Sequence, residues 1–189
     1  MPERDGTRPR ASTETPSPLA VLIGAPAAGQ TRIGKRVART LSVPFLDTDA
    51  LVEAEHGPIP TIFAEQGEPT FRRWEAEAVA HALGQPAIVA LGGGAVMTPS
   101  TAEALRALPV VLLTITPDAV ATRIGNGKRP LLAGGIERWT ELVEARMPVY
   151  QSLATVQWDT SRRPTSQIAE EIATWVRTLP AHEAPGGHA

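Results

Sequence analysis

No cysteine occurs anywhere in the 189 residues. Disulfides, thiolate nucleophiles and thiolate metal sites are therefore excluded, which leaves the compartment itself open. Long apolar runs are missing too: none approaches the ~20 residues that span a bilayer, and the N-terminus has no apolar core of the secretory kind. Nor is there a charge excess. Eighteen basic residues face 20 acidic ones, for a formal net charge of −2, so nothing draws the chain in bulk to nucleic acid or to a membrane surface. What is present is a composition 42% apolar and 20% charged, which reads as one soluble globular domain with a proper core. The expected location is cytoplasmic.

Residues 1–18 are rich in Pro, Ser, Thr, Arg and Glu and offer almost nothing to bury; 180–189 repeat that character. Both read as loose tails around a single domain at 19–179. Inside it, Leu19–Ile23 is a short apolar run of the buried parallel-strand kind. Ile33, Val37 and Leu41 then recur every four residues as the face of an amphipathic helix. Further strands are predicted at Pro44–Leu46, Ala87–Leu91, Val110–Ile115 and Thr155–Trp158. Helices are predicted near Ala50–His56, Thr61–Ala64, Glu68–Leu83, Ser100–Ala107, Pro117–Ile124 and Glu137–Tyr150, the last broken near Pro148. A final helix carries Ile168, Ile172, Trp175, Val176 and Leu179 on one face. Strands alternating with helices imply an α/β fold, a parallel sheet covered on both sides.

Such sheets bind ligands beyond the carboxyl ends of their strands. Three unusual segments sit there. Gly24-Ala25-Pro26-Ala27-Ala28-Gly29-Gln30-Thr31 has the spacing of a phosphate loop, in which small residues let backbone N–H groups face an anion at a helix N-terminus. Taken alone it also fits a plain strand–turn–helix connection. Asp47-Thr48-Asp49 puts two carboxylates at a strand end; if the segment is extended, they face one side. Taken in isolation, a capped turn before the next helix is the preferred explanation of the pair. Gly92-Gly93-Gly94 costs backbone entropy and marks either a close approach to the main chain or a tight turn. His56, His81, His182 and His188 lack metal-ligand spacing, and Trp74, Trp139, Trp158 and Trp175 read as core.

With these segments stand FLDTDALVE (45–53), IFAEQGEPTFRRWE (62–75), LGGGAV (91–96), RPLLAG (129–134), RMPVY (146–150) and DTSRRP (159–164). In that order and spacing the set resembles the shikimate kinase family over the whole of 19–179. The resemblance implies a three-layer P-loop kinase with a five-stranded parallel sheet ordered 2-3-1-4-5 and a lid near 124–135. It implies transfer of the ATP γ-phosphoryl to the 3-hydroxyl of shikimate, on the route to chorismate, with Mg²⁺ as cofactor. Position by position, Asp49 would bind the shikimate hydroxyls and assist catalysis. Arg72 and Arg146 would grip its carboxylate, and Gly93 would admit its ring. Ala27, Ala28, Gly29, Gln30, Thr31, Arg32, Arg129 and Arg163 would meet ATP, Arg129 also acting in catalysis and Arg163 at the adenine end, with Arg123 a further nucleotide-side arginine. Thr31 and Asp47 would hold the metal. The partners implied are shikimate and ATP, with no nucleic acid or membrane, and the expected state is a monomer.

One position departs from that pattern. Gln30 stands where the P-loop carries lysine, so the loop has a hydrogen-bond donor but no charge. Either another cation substitutes, with Lys128 beside Arg129 better placed than Arg32, or turnover is slow, or the chain is a non-catalytic shikimate or nucleotide binder.

Overall fold

The computed structural model describes residues 17–125 and 135–180. Lys128 and Arg129 of the predicted lid, and residues 1–16 and 181–189 of the predicted tails, lie outside the described residues. A five-stranded parallel sheet runs in the order β2-β3-β1-β4-β5. Its strands are β1 (Ala20–Gly24), β2 (Phe45–Asp47), β3 (Ile88–Ala90), β4 (Val110–Thr114) and β5 (Val156–Asp159). Pairing is direct: Leu22 stands opposite Ala90 on one side and Val111 on the other. Every residue of β1 is buried, as expected where helices cover both faces.

Alternation along β1 feeds two cores. Leu22 joins Ile33, Val37, Trp139, Ile168 and Ile172 on one side of the sheet. Val21 and Ile23 join Val79, Leu105, Leu112 and Tyr150 on the other. The first core is closed by α1 (Gln30–Leu41) and α7 (Thr165–Thr178); α3 (Ile59–Leu83) and α4 (Pro99–Leu105) close the second. The remaining helices are α2 (Thr48–His56), α5 (Pro117–Gly125) and α6 (Gly135–Leu153), which contributes to both cores. Among the described residues no helix is long and apolar enough to cross a membrane.

Four sequence expectations shift. Pro18, assigned to the tail, is buried, because the chain joins the sheet at once through a Leu19 N–H to Ala87 carbonyl bond of 2.9 Å. α2 starts at Thr48, so Asp49 lies in a helical first turn and not in extended backbone. The predicted break at Pro148 does not occur: α6 continues to Leu153. Glu144, whose carbonyl the proline ring deprives of its donor, is exposed, and water can take that donor's place. Finally α7 stops at Thr178, which leaves Leu179 as an extended C-cap beyond the helical face assigned to it. The two helices predicted at 61–64 and 68–83 are both present within α3, separated at Gly67, whose φ of 78° breaks the helical path.

Candidate active site

The Gly24–Thr31 loop joins β1 to α1 at the carboxyl edge of the sheet. Gly24 has a φ of 147°, and a Cβ there would collide with the Leu113 carbonyl of the neighbouring strand. Gly29 caps α1 in the left-handed region, with φ 100°. The first turn of α1 holds no acidic residue of its own, which suits the positive end of its dipole to an anion. Ala27 is left-handed as well, at φ 70°, although it is not glycine. Gln30 donates its side-chain amide to the Ala25 carbonyl at 3.2 Å. Arg123, at the end of α5, donates to the Ala27 carbonyl at 3.0 Å and also to the Thr160 carbonyl. Burial, and then the neighbouring Arg32, lower the Arg123 pKa from its ordinary value.

Asp47 uses its two carboxylate oxygens for two different contacts, one of them the cap that the sequence allows. Its Oδ1 accepts from the Asp49 and Ala50 N–H groups, at 3.1 and 3.3 Å, and so caps α2. Its Oδ2 accepts the Thr31 hydroxyl at 2.6 Å. Two hard oxygen donors thus meet at the mouth of the phosphate loop, a set suited to Mg²⁺.

The triple glycine is where the site converges. A Cβ on Gly92 would strike the Asp49 carboxylate. One on Gly93 would sit 3.3 Å from Pro26 of the phosphate loop, and one on Gly94 only 2.6 Å from Nη1 of Arg72. Each glycine therefore makes room for a different functional group. The turn is fixed by the buried Thr48 hydroxyl, which accepts the Gly92 N–H at 3.2 Å, and by the Tyr150 hydroxyl, which donates to the Gly93 carbonyl.

Asp49 is pushed up to about 6, first by burial and then by Asp47, Glu75 and Glu53, with Arg72 offsetting part of the rise. It is thus ionised at neutral pH and easily protonated below it. Arg72 pairs with Glu75 at 2.7 Å and with Glu68 at 3.2 Å. Burial pushes the Glu75 carboxyl up, and Arg72 pulls it back only in part. Arg72 and Arg146 line one cavity together with Glu68, Met97 and Leu142. A second cavity, beyond β4 and β5, is lined by Thr116, Asp118, Arg123, Asp159 and Arg162.

The residues singled out from the sequence are thus largely brought together: the loop, Thr31, Asp47, Asp49, Gly93, Arg72 and Arg146. Arg163 is not among them, because it turns away to pair with Glu171, and it is Arg162 that faces the second cavity. Arg32 is exposed on α1, near Arg123. Arg129 lies outside the described residues. Sequence reasoning missed Glu75, Thr48 and the roles of Trp139 and Tyr150. Only Glu75 left a signal: it lies four residues after Phe71, on the apolar stripe of its helix, where an unpaired carboxylate is out of place.

Comparison with known proteins adds an independent line. A family model described as shikimate kinase matches residues 26–177. A shikimate kinase of Mycobacterium avium is 44% identical over 173 residues, covering 89% of this chain and 97% of its own. One from Thermobifida fusca is 45% identical, over 87% of this chain and 96% of its own. Among solved structures, a shikimate kinase from Acinetobacter baumannii in complex with shikimate superposes with a TM-score of 0.77 at 29% identity, covering 87% of this chain and 95% of that one.

Proposed function

The chain belongs to the shikimate kinase family and is an ATP-dependent kinase, and we propose that it moves the γ-phosphoryl of ATP to the 3-hydroxyl of shikimate, giving shikimate 3-phosphate and ADP. The observation that carries this reading is the convergence of Asp49, the phosphate loop and Arg72 on three successive glycines. An acceptor hydroxyl held by Asp49 then lies beside the loop that holds the donor. Phosphoryl transfer requires mostly this positioning, plus stabilisation of charge.

In this reading Arg72 and Arg146 take the substrate carboxylate, since guanidinium groups match carboxylate geometry. Glu75 holds Arg72 from beneath. Asp49 orients the hydroxyl and accepts its proton, and its raised pKa suits a base working near neutrality. Backbone amides of the loop and the start of α1 receive the phosphates. The second cavity, with Arg123 and Arg162, takes the nucleoside end. Mg²⁺, held by Thr31 and Asp47, would supply positive charge against the phosphate oxygens. ATP as donor supports a cytoplasmic location.

Gln30 lowers the charge in the loop without removing any other element of the site. Losing one preorganised donor in comparable sites costs on the order of 10²–10³ in rate, so the chain is a slow kinase and not an inert binder. ADP release, measured with and without shikimate, tests the assignment. Shikimate-dependent release supports it; nucleotide and shikimate binding with no turnover would replace it by the binder reading.

A further inference from the structure

Ala27 occupies the left-handed region at φ 70°, a conformation that side chains bearing a Cβ avoid. Strain of this sort persists only where the surroundings impose it. Both peptide units flanking Ala27 are held from outside the loop. The carbonyl before it, that of Pro26, accepts the indole N–H of Trp139 at 3.0 Å. The carbonyl after it, that of Ala27 itself, accepts Arg123 at 3.0 Å. Trp139 is 2% exposed and 113 positions distant in sequence. Its indole is packed into the core beneath the loop with Ala25, Ala28 and Val143, so its N–H is aimed by the fold and not by local choice.

The C=O and N–H of a trans peptide point in opposite directions. Fixing the Pro26 carbonyl inward on Trp139 therefore turns the Ala27 N–H outward, away from the core. The next amide, Ala28 N–H, is turned back to the Ala25 carbonyl at 3.1 Å. That same carbonyl takes the Gln30 side chain. Three successive carbonyls, of Ala25, Pro26 and Ala27, are thus engaged by side-chain donors from α1, α6 and α5. Because Pro26 has no N–H, the Ala27 amide is the one that follows Ala25 along the loop.

We infer that Trp139 is a positioning residue for nucleotide binding: with Arg123 it holds Ala27 in its left-handed conformation and so presents the Ala27 amide to phosphate. The inference rests on the assignment of the loop as the nucleotide site. It gives Gln30 a part as well, as a brace on the loop's own carbonyl in place of a charge on the ligand.

The test is a double-variant cycle on ADP affinity, read by calorimetry, with shikimate affinity and thermal stability measured alongside. Trp139→Phe keeps an aromatic ring but removes the donor. ADP affinity is expected to fall about 3–10-fold, the scale of one neutral hydrogen bond, with shikimate affinity unchanged. Ala27→Gly makes the left-handed conformation free of strain, so in the Trp139→Phe background it should recover most of the loss. A purely structural role for Trp139 would lower ADP and shikimate affinity together and show no rescue by Ala27→Gly, which overturns the inference. So would unchanged ADP affinity in Trp139→Phe. If that variant fails to fold, benzothienylalanine placed at position 139 keeps the shape of the indole and lacks its N–H; undiminished ADP affinity there overturns the inference equally. Failure of the unaltered chain to bind ADP would instead sink the nucleotide-site assignment.

Discussion

Glu68 and Glu75 hold the same guanidinium from opposite surroundings: on Arg72, the Glu75 side chain is 2% exposed and that of Glu68 is 62% exposed. The buried partner is a fixture and the exposed one is replaceable. Glu68 accepts from both Nε and Nη2 of Arg72, at 3.3 and 3.2 Å, which are donors that a substrate carboxylate would also seek. Glu75→Gln should lower shikimate affinity about tenfold, the scale of a charge-assisted hydrogen bond, while leaving ATP affinity alone. Glu68→Gln should raise shikimate affinity, by up to about fivefold, since an exposed ion pair is worth at most about 1 kcal/mol. Titration calorimetry of both variants checks the pair; a loss of affinity in Glu68→Gln would show that Glu68 supports Arg72 and does not compete for it.

Asp49 makes activity and stability move in opposite directions with pH. Its folded pKa of about 6 lies above the ordinary 3.8, so the fold prefers the neutral acid. The stability that this preference contributes is complete below 3.8 and is lost as pH rises through about 6. Turnover, which needs the carboxylate, should fall as pH drops through about 6. Asp49→Asn should abolish most turnover yet stabilise the fold by about 1–3 kcal/mol at pH 8, with that gain vanishing toward pH 4. Thermal melts at both pH values, beside a pH–rate profile of the unaltered enzyme, decide it. Equal melts of the two proteins at pH 8 would refute the raised pKa.

Asp47 carries two duties that substitution can separate. Asn caps helices as well as Asp does, so Asp47→Asn should melt close to the unaltered protein while requiring more Mg²⁺ for half-maximal rate. Asp47→Ala loses the cap too and should cost about 1 kcal/mol of stability. Magnesium titrations of rate, set against melts, distinguish them; an unchanged Mg²⁺ requirement in Asp47→Asn would remove Asp47 from the metal site.

Restoring lysine at Gln30 returns the missing charge, and a lysine ammonium can also donate to the Ala25 carbonyl that Gln30 now engages. Gln30→Lys should raise kcat by at least about tenfold, a conservative share of the 10²–10³ assigned to one such donor, with KM for shikimate unaltered. Steady-state kinetics settle this, and an unchanged kcat would mean that another cation already fills the role.

The element order and the loops at strand ends were legible because they are local. A strand, small residues and an amphipathic helix in succession leave a periodic trace in Ile23, Ile33 and Val37. The sheet order was not legible that way and came from the resemblance, which the strand pairing bears out. Reading Asp47 and Asp49 as one extended pair failed because the cap offered by Asp47 starts the helix two residues early. Arg162 and Arg163 are adjacent, and only the position of Glu171, on the next helix, decides which of them turns away. Trp139 gave no signal, since the carbonyl it serves is 113 residues distant and an indole in a core looks the same whatever its N–H meets.

A turn in which three neighbouring positions each press on a different group behaves as a set of separable lesions. Alanine at Gly92 would displace Asp49, at Gly93 would press on Pro26, and at Gly94 would evict Arg72. One short stretch of backbone therefore offers a genetic dissection of the enzyme: the same one-methyl change, moved along by one residue, falls in turn on proton acceptance, on the boundary between phosphate loop and acceptor ring, and on carboxylate affinity.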